Sequence, residues 1–394
     1  MIEYMVRQVI LVIIVASLFA NVTAQTLLHL FEAFPQLKAQ IPHITLCDLP
    51  TPVMQLESFG NYIGHENIYI KRDDLSGTYK GNGFRLNGGN KPRKLEFLLA
   101  DAIAHDAETI ITYGCAGSNH ALATAVYAKT LGLNSILMLK PQPNSYTVRH
   151  NLLLDLAQDA DIRWFANNTT RADAAQELLF EDPHAYLIPT GGSNAIGGLG
   201  FVNAAFELYE QVKQNEVPMP DYIYLATSSC ATTAGLLLGF KLLDMPTKVM
   251  AICIEPEDYP GQLLHTLEQL FKAVNQKLHE ADASIPVVDF PHDHLIINKK
   301  FCGTTYGLFI PEGQNAAQVF KDTENIRLDG TYSAKPVAAI IDDVQAGLLQ
   351  DKVVLFWNTY CGIDYSYMTH MAQFHALPHE FHCYFEEPVQ PFAN

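Results

Sequence analysis

A lysine at the boundary between a glycine-containing loop and a helix is the first residue whose position suggests chemistry. It lies in the run Gly88-Gly89-Asn90-Lys91-Pro92-Arg93-Lys94-Leu95-Glu96-Phe97. Asn90 is a good helix N-cap, Pro92 is tolerated in a first turn whose N–H groups lack partners, and Leu95, Leu98, Leu99 and Ile103 recur at helical spacing. Lys91 is therefore expected at a helix start. The glycines let the backbone come close to a ligand, and the positive end of a helix dipole disfavours protonation of a neighbouring amine. A lysine of lowered pKa is a nucleophile. Taken alone, Gly-Gly-Asn-Lys describes an exposed lysine beside a turn at least as well, so its company has to decide.

Three further stretches keep that company. Gly114-Cys115-Ala116-Gly117-Ser118-Asn119-His120 lies between a strand and a helix, where Asn119 can cap and the glycines admit a ligand to backbone amides. The run from Ile188 to Gly200, rich in glycine, reads as a turn capping a helix and is assigned only to positioning. Tyr222-Ile223-Tyr224-Leu225-Ala226 is a strand, residues 227–232 form a small polar turn, and a helix follows, which is the geometry that binds phosphate at a helix N-terminus. In that turn Ser228, Ser229, Cys230, Ala231 and Thr232 offer hydroxyls and amides, but their Cβ atoms restrict the backbone's approach and dihedrals.

The run Ile68-Tyr69-Ile70-Lys71-Arg72-Asp73-Asp74-Leu75-Ser76-Gly77, followed by the Lys91 segment through Glu96, resembles the 1-aminocyclopropane-1-carboxylate deaminase and D-cysteine desulfhydrase family. Those are pyridoxal-phosphate enzymes of the tryptophan synthase β-like fold, fold type II. The resemblance covers most of residues 46–362 in consistent order. It implies that Lys91 forms the Schiff base with pyridoxal 5'-phosphate. It also implies that Ser118 and Asn119 hydrogen-bond the substrate carboxylate and the cofactor's ring hydroxyl, beside the desulfhydrase-like His120. Ser229, Cys230, Ala231 and Thr232 would hold the phosphate where the family has a glycine-rich loop. Tyr306 and Tyr332 resemble the family's two active-site tyrosines, and Ser333 and Thr359 would meet the pyridine nitrogen. Deaminases carry a glutamate at the position of Ser333 and desulfhydrases a hydroxyl residue. A hydroxyl leaves the ring nitrogen neutral and the electron sink weaker, which suffices for β-elimination. Tyr360 and Cys361 replace glycines and are expected to narrow the pocket.

The resemblance therefore implies a lyase that converts D-cysteine to pyruvate, ammonia and hydrogen sulfide, working as a homodimer on a small amino-acid substrate. The alternative within the family is a deaminase giving 2-oxobutanoate. From another class comes an inactive amino-acid-binding scaffold, motivated by the altered phosphate turn.

These residues need elements to hold them, and the chain has room for two domains in 394 residues, 48% of them hydrophobic. Strand signals at 109–113, 135–139 and 162–165 alternate with helix signals at 119–131 and 146–158. A second series places strands at 222–226, 249–254 and 353–357 and helices at 198–212, 233–243, 261–278 and 338–348. Such alternation predicts two three-layer α/β domains with parallel sheets. The expected division is a large cofactor-binding domain from 45–95 and 195–394 and a small one from 96–194, with the active site in the cleft between them.

The net charge of −17 would repel nucleic acid. Seven scattered cysteines without Cys-x-x-Cys pairing argue against zinc or a disulfide framework. In the tail, Phe374, Leu377, Phe381 and Phe385 read as the apolar stripe of a docking helix, with His370, His375, His379 and His382 on its flanks and no metal. Arg7, the apolar run 9–20 and Val22-Thr23-Ala24 read as a secretory signal over residues 1–24, which implies a periplasmic or secreted enzyme without a stable membrane partner. An uncleaved anchor or a cytoplasmic chain is the alternative.

Overall fold

The computed structural model of the protein describes residues 28–78, 86–258, 260–363, 365, 369 and 372–392. The expected signal segment and His370 lie outside the described residues.

Two sheets organise the described chain. The smaller contains β3 (Thr109–Cys115), β4 (Asn134–Lys140), β5 (Asp161–Trp164) and β6 (Ala185–Ile188) in the order β5-β4-β3-β6, all parallel. The larger contains β1 (Val53–Gln55), β2 (Ile68–Arg72), β7 (Tyr222–Thr227), β8 (Lys248–Cys253), β9 (Leu295–Asn298) and β10 (Val354–Asn358), in the order β1-β2-β10-β7-β8-β9. Its strands are parallel except at one edge, where β1 runs antiparallel to β2. Every residue of β10 is buried, as a central strand covered on both faces requires.

The structure adds elements that the alternation does not announce: the helices Asn168–Glu181 and Pro311–Glu324 and the strands β6 and β9. Both strands lie at a sheet edge, are four residues long and are mostly only partly buried, so their hydrophobic signal is weak.

The helix Lys91–Ala104 buries Leu95, Leu98 and Leu99 completely, whereas Ile103 is exposed as the helix leaves the core. It packs against the helix Ala195–Lys213, and a Cβ on Gly200 would collide with the Arg93 carbonyl oxygen at that crossing.

A buried charge network fixes the same helix to the large sheet. Arg93 donates through Nε to Asp73 at 3.0 and 3.1 Å and through its terminal nitrogens to Asp73, Glu207 and Thr51 at 2.8–2.9 Å. Lys71 Nζ donates to Glu207 at 2.5 Å and to Gln211 at 2.6 Å, and Trp357 Nε1 to Asp73 at 2.7 Å. Burial alone would lower the Arg93 guanidinium, but Asp73 and Glu207 hold it well above its usual value. Arg93 and Lys71 in turn keep the Glu207 carboxyl far below the usual carboxylate range despite its burial.

The tail docks as expected but not as one helix. Pro378 supplies no N–H and leaves Leu377 extended at ψ 156°. Two 3₁₀ turns, Phe374–Ala376 and His379–Phe381, and the short helix Cys383–Glu386 result. Leu377, Phe381 and Tyr384 bury themselves against Leu137, Leu139, Val148 and Leu152. The strap then crosses to the large-sheet side. Gln390 N donates to Asn144 O at 2.9 Å, while its side chain donates to Gly307 O at 3.0 Å and accepts from Phe309 N at 2.8 Å.

Candidate active site

The carboxyl ends of the central strands of both sheets face one cavity of about 510 Å³, the usual location of a ligand in open α/β sheets. Cys115 ends β3, Lys140 ends β4 and Thr227 ends β7, and all three line it, as does Thr359 just beyond β10.

Lys91 lines this cavity at the first position of its helix. The loop before it is pinned by backbone: Gly89 N donates to Asp73 O at 2.8 Å and Asn90 N to Thr359 O at 3.1 Å. Gly89 sits at φ 83°, and a Cβ there would meet Thr359 O at 2.7 Å. The Asn90 side chain does not cap the helix as expected; its Nδ2 donates to Thr232 Oγ1 at 3.0 Å and so ties the lysine loop to the 227–232 turn. Burial pushes the Lys91 amine down to about 8, against an upward pull from the Asp329 carboxylate. Among the described residues, Lys91 Nζ makes no hydrogen bond.

Around the lysine the donors and acceptors are sorted by their neighbours. Ser118, rather than Asn119, is the N-cap of the helix Asn119–Thr130: its Oγ accepts from Ala121 N at 3.1 Å, so its own hydrogen is free to donate. Asn119 Oδ1 accepts from Asn151 Nδ2 at 3.0 Å, which leaves the Asn119 NH₂ as its free end. Thr112 Oγ1 donates to Ile188 O at 3.0 Å and accepts from His120 Nε2 at 3.0 Å, so His120 Nδ1 is a buried acceptor without a partner among the described residues. Burial, then Lys91 and Lys94, hold His120 well below its ordinary value and therefore neutral. Tyr306 and Tyr332 also line the cavity and share a hydroxyl contact of 2.5 Å. Burial raises both phenols well above 10; the hydrogen bond between them drives Tyr306 further up and draws Tyr332 back down.

The sequence profile of the family described as pyridoxal-phosphate dependent enzyme matches residues 44–359. A D-cysteine desulfhydrase of Serratia proteamaculans is 33% identical over 330 residues, covering 82% of this chain and 94% of its own. The chain belongs to the D-cysteine desulfhydrase and 1-aminocyclopropane-1-carboxylate deaminase family. A crystal structure of an ACC deaminase homologue is 31% identical, with a TM-score of 0.69 over 83% of this chain and 94% of that one. The processed form of threonine deaminase isoform 2 from Solanum lycopersicum, at 16% identity and a TM-score of 0.55 over 86% of this chain and 90% of that one, shares the fold alone. The protein is a pyridoxal-phosphate-dependent lyase of this family with a fold type II architecture.

The residues present fit the family's cofactor. The helix Ala231–Leu242 points its N-terminus into the cavity, and the amides of Cys230, Thr232 and Thr233 have no protein acceptor among the described residues. These amides, with the Ser229 and Thr232 hydroxyls, would hold the phosphate, and Lys91 the carbonyl carbon. The expected Cβ restriction in this turn takes a definite form. Cys230 adopts φ 75°, a left-handed conformation that glycine accepts freely and a side chain does not, while its thiol donates to Ser228 O at 3.1 Å.

Among the anticipated residues, Lys91, Ser118, Asn119, His120, Ser229, Cys230, Thr232, Tyr306, Tyr332 and Thr359 converge on the cavity. Ala231 and Ser333 are not among its lining residues. Ser333 Oγ is committed to Asp329, donating to Oδ1 at 2.7 Å and accepting from Asp329 N at 2.8 Å, and the Asp329 carboxylate lines the cavity in its place. Tyr360 lines the cavity as expected of a residue replacing glycine, whereas Cys361 turns away and accepts from Gly88 N at 3.2 Å.

Lys94, Lys140, Arg171, Glu255 and Asp329 line the cavity without having been singled out by sequence. Lys94 follows Lys91 by three residues and shares its helix face, a spacing that could have revealed it. Its Nζ donates to Gly191 O at 3.1 Å, and burial, then Lys91, hold it well below 10.5. Asp329 precedes Ser333 by four residues and accepts from the Tyr332 and Ser333 amides at a helix start, a recognisable capping position. Arg171 sits in a helix the sequence did not announce, so no signal pointed to it.

Proposed function

We propose that the enzyme eliminates the β-substituent of a small amino acid, with D-cysteine giving pyruvate, ammonia and hydrogen sulfide. The observation that carries this reading is the buried Tyr306–Tyr332 hydroxyl pair in the lysine's cavity, whose burial raises both phenols and favours the protonated form. A phenol that keeps its proton can give it to a departing thiolate. Opening a cyclopropane, which has no leaving group, asks instead for a phenolate base or nucleophile at these tyrosines, which burial disfavours.

Pyridoxal phosphate, when bound, supplies an electron sink that stabilises negative charge at the substrate Cα. Ser118 and Asn119 present free donors to the substrate carboxylate, and neutral His120 adds an acceptor without adding charge. Lys91 Nζ, uncharged in a growing fraction above about pH 8, takes the α-proton. The Cα–H and Cβ–S bonds break, the Cα–Cβ double bond forms, and the sulfur leaves with a proton from the tyrosine pair. Water then converts the released enamine to pyruvate and ammonia.

The test is the absorption spectrum of purified protein with pyridoxal phosphate, native against Lys91→Ala, followed by D-cysteine. A visible band in the native chain only, lost as pyruvate and sulfide appear, is the expected result. Faster release of 2-oxobutanoate from 1-aminocyclopropane-1-carboxylate than of pyruvate from D-cysteine would reverse the assignment. No band in either chain would favour the binding-scaffold reading. Export and a homodimeric state belong to the same proposal; mass spectrometry finding Met1 retained, or light scattering finding a monomer, would remove the respective part.

A further inference from the structure

On the small-sheet side of the cavity, two cations have no ion-pair partner among the described residues. They are Lys140, at the end of β4, and Arg171, in the first turn of the helix Asn168–Glu181. Arg171 is only 6% exposed. It donates to two uncharged acceptors, Gly114 O at 3.0 Å and Asn168 Oδ1 at 2.9 Å, and its Nε–H is buried with no acceptor among the described residues. The guanidinium lies 4.4 Å from the centre of the Tyr113 ring, whose face offsets part of its lost hydration. A buried cation without a counter-charge is costly, and this one is kept at the wall of a cavity in a chain of net charge −17. Elsewhere the same fold does pair its buried arginine, since Arg93 holds two carboxylates.

The position relative to the reaction follows from Cys115. Burial raises its thiol while Lys140 and Arg171 draw it down, and the same thiol adds to the raised pKa of Tyr306 and Tyr332. Lys140 is the register partner of Cys115 on the neighbouring strand and Arg171 donates to the carbonyl of the preceding Gly114, so the two cations flank the Cys115 end of β3 in the cavity that the tyrosine pair also lines. The Glu255 carboxylate lines the same cavity and also raises the Cys115 thiol and both phenols, while its Oε1 accepts from Ser228 Oγ at 2.6 Å on the large-sheet side.

We infer that Arg171 and Lys140 form a subsite for an anionic group at the far end of the substrate's side chain. The preferred substrates are then amino acids bearing a carboxylate or comparable anion beyond the leaving atom. This inference rests on the elimination reading above and names its substrate class. Arg171 offers the planar donor fork that suits a carboxylate, and Lys140 adds a mobile point charge.

The test compares two isosteric substrates on the holoenzyme, S-(carboxymethyl)cysteine and S-(carbamoylmethyl)cysteine, each as D and L enantiomer. Both break the same Cβ–S bond and yield pyruvate and ammonia, with thioglycolate or its amide leaving. The expected kcat/KM ratio favours the carboxylate by about tenfold, mainly through KM, which corresponds to one charge-assisted contact. Arg171→Gln should bring the ratio to within about twofold, Lys140→Gln should lower it less, and Arg171→Lys should retain part of it. A ratio near one in the native enzyme, or a preference that survives Arg171→Gln, overturns the subsite.

If no pyruvate forms from any substrate, the elimination reading fails, and the subsite is read separately from thermal unfolding of the holoenzyme with malonate or malonamate. Greater protection by malonate, lost in Arg171→Gln, supports the anion site, and equal protection overturns it.

Discussion

The charges beneath the Lys91–Ala104 helix and those in the cavity above it are compensated in opposite ways. Below, Arg93 and Lys71 are matched by Asp73 and Glu207, with Thr51, Gln211 and Trp357 taking up remaining hydrogen bonds. Above, Lys91 has no hydrogen bond among the described residues, His120 Nδ1 and Arg171 Nε lack partners, and the phenols hold their protons. Lys91 and Arg93 are two residues apart on one helix start. The difference teaches where stability and reactivity are kept: the satisfied network immobilises the helix, so that the unsatisfied groups can be held ready for a ligand.

The largest expected effect is at Lys91. Lys91→Ala should remove the visible cofactor band and reduce pyruvate release by about 10³-fold or more, with unfolding nearly unchanged because the lysine supports nothing else. A variant that lost stability instead would erase the contrast between the two regions.

Glu207→Gln attacks the other side. It leaves Lys71 and Arg93 short of one negative charge and should cost about 3–5 kcal/mol in denaturant unfolding. The depressed Glu207 carboxyl contributes stability above its unfolded pKa, and that contribution is lost as pH falls into the acid range. The acid-induced loss of stability should therefore be shallower in Glu207→Gln than in the native protein.

A titration sharpens the comparison at the lysine itself. Attachment of pyridoxal phosphate needs the neutral amine, so its rate should rise with pH and level off above about 8 rather than near 10.5. Because Asp329 raises the Lys91 pKa, Asp329→Asn should move that midpoint to lower pH; a midpoint moving up would show that Asp329 acts otherwise.

At the phosphate turn, Cys230→Val places a β-branched residue at φ 75° and should weaken cofactor binding about tenfold, whereas Cys230→Gly should not weaken it. The smallest effect is expected at the strap. Gln390→Ala removes two side-chain hydrogen bonds to the loop carrying Tyr306, worth about 0.5–1.5 kcal/mol each, and should lower kcat severalfold while the cofactor band persists.

Much of this arrangement was legible in the chain. Lys91 announced itself through glycines, an asparagine and a proline around a helix start, and the period of the apolar residues located the central strands to within a residue or two. The phosphate turn was legible as a strand, a polar stretch and a helix. What escaped were groups whose role depends on a neighbour remote in sequence. Asn90 looked like a cap but serves Thr232, and Ser333 looked like a ring contact but serves Asp329. The tail looked like one helix until Pro378 divided it.

The sequence by itself determined the lysine, its loop, the alternation of strands and helices and the family, because these depend on local spacing, conformational preference and motif. The tertiary structure alone decided which charges are paired. Arg93 and Arg171 are the same residue type, but one is brought against Asp73 and Glu207 and the other against Gly114, Asn168 and an open cavity. Desolvation and pairing are properties of the folded neighbourhood, and no spacing along the chain encodes them.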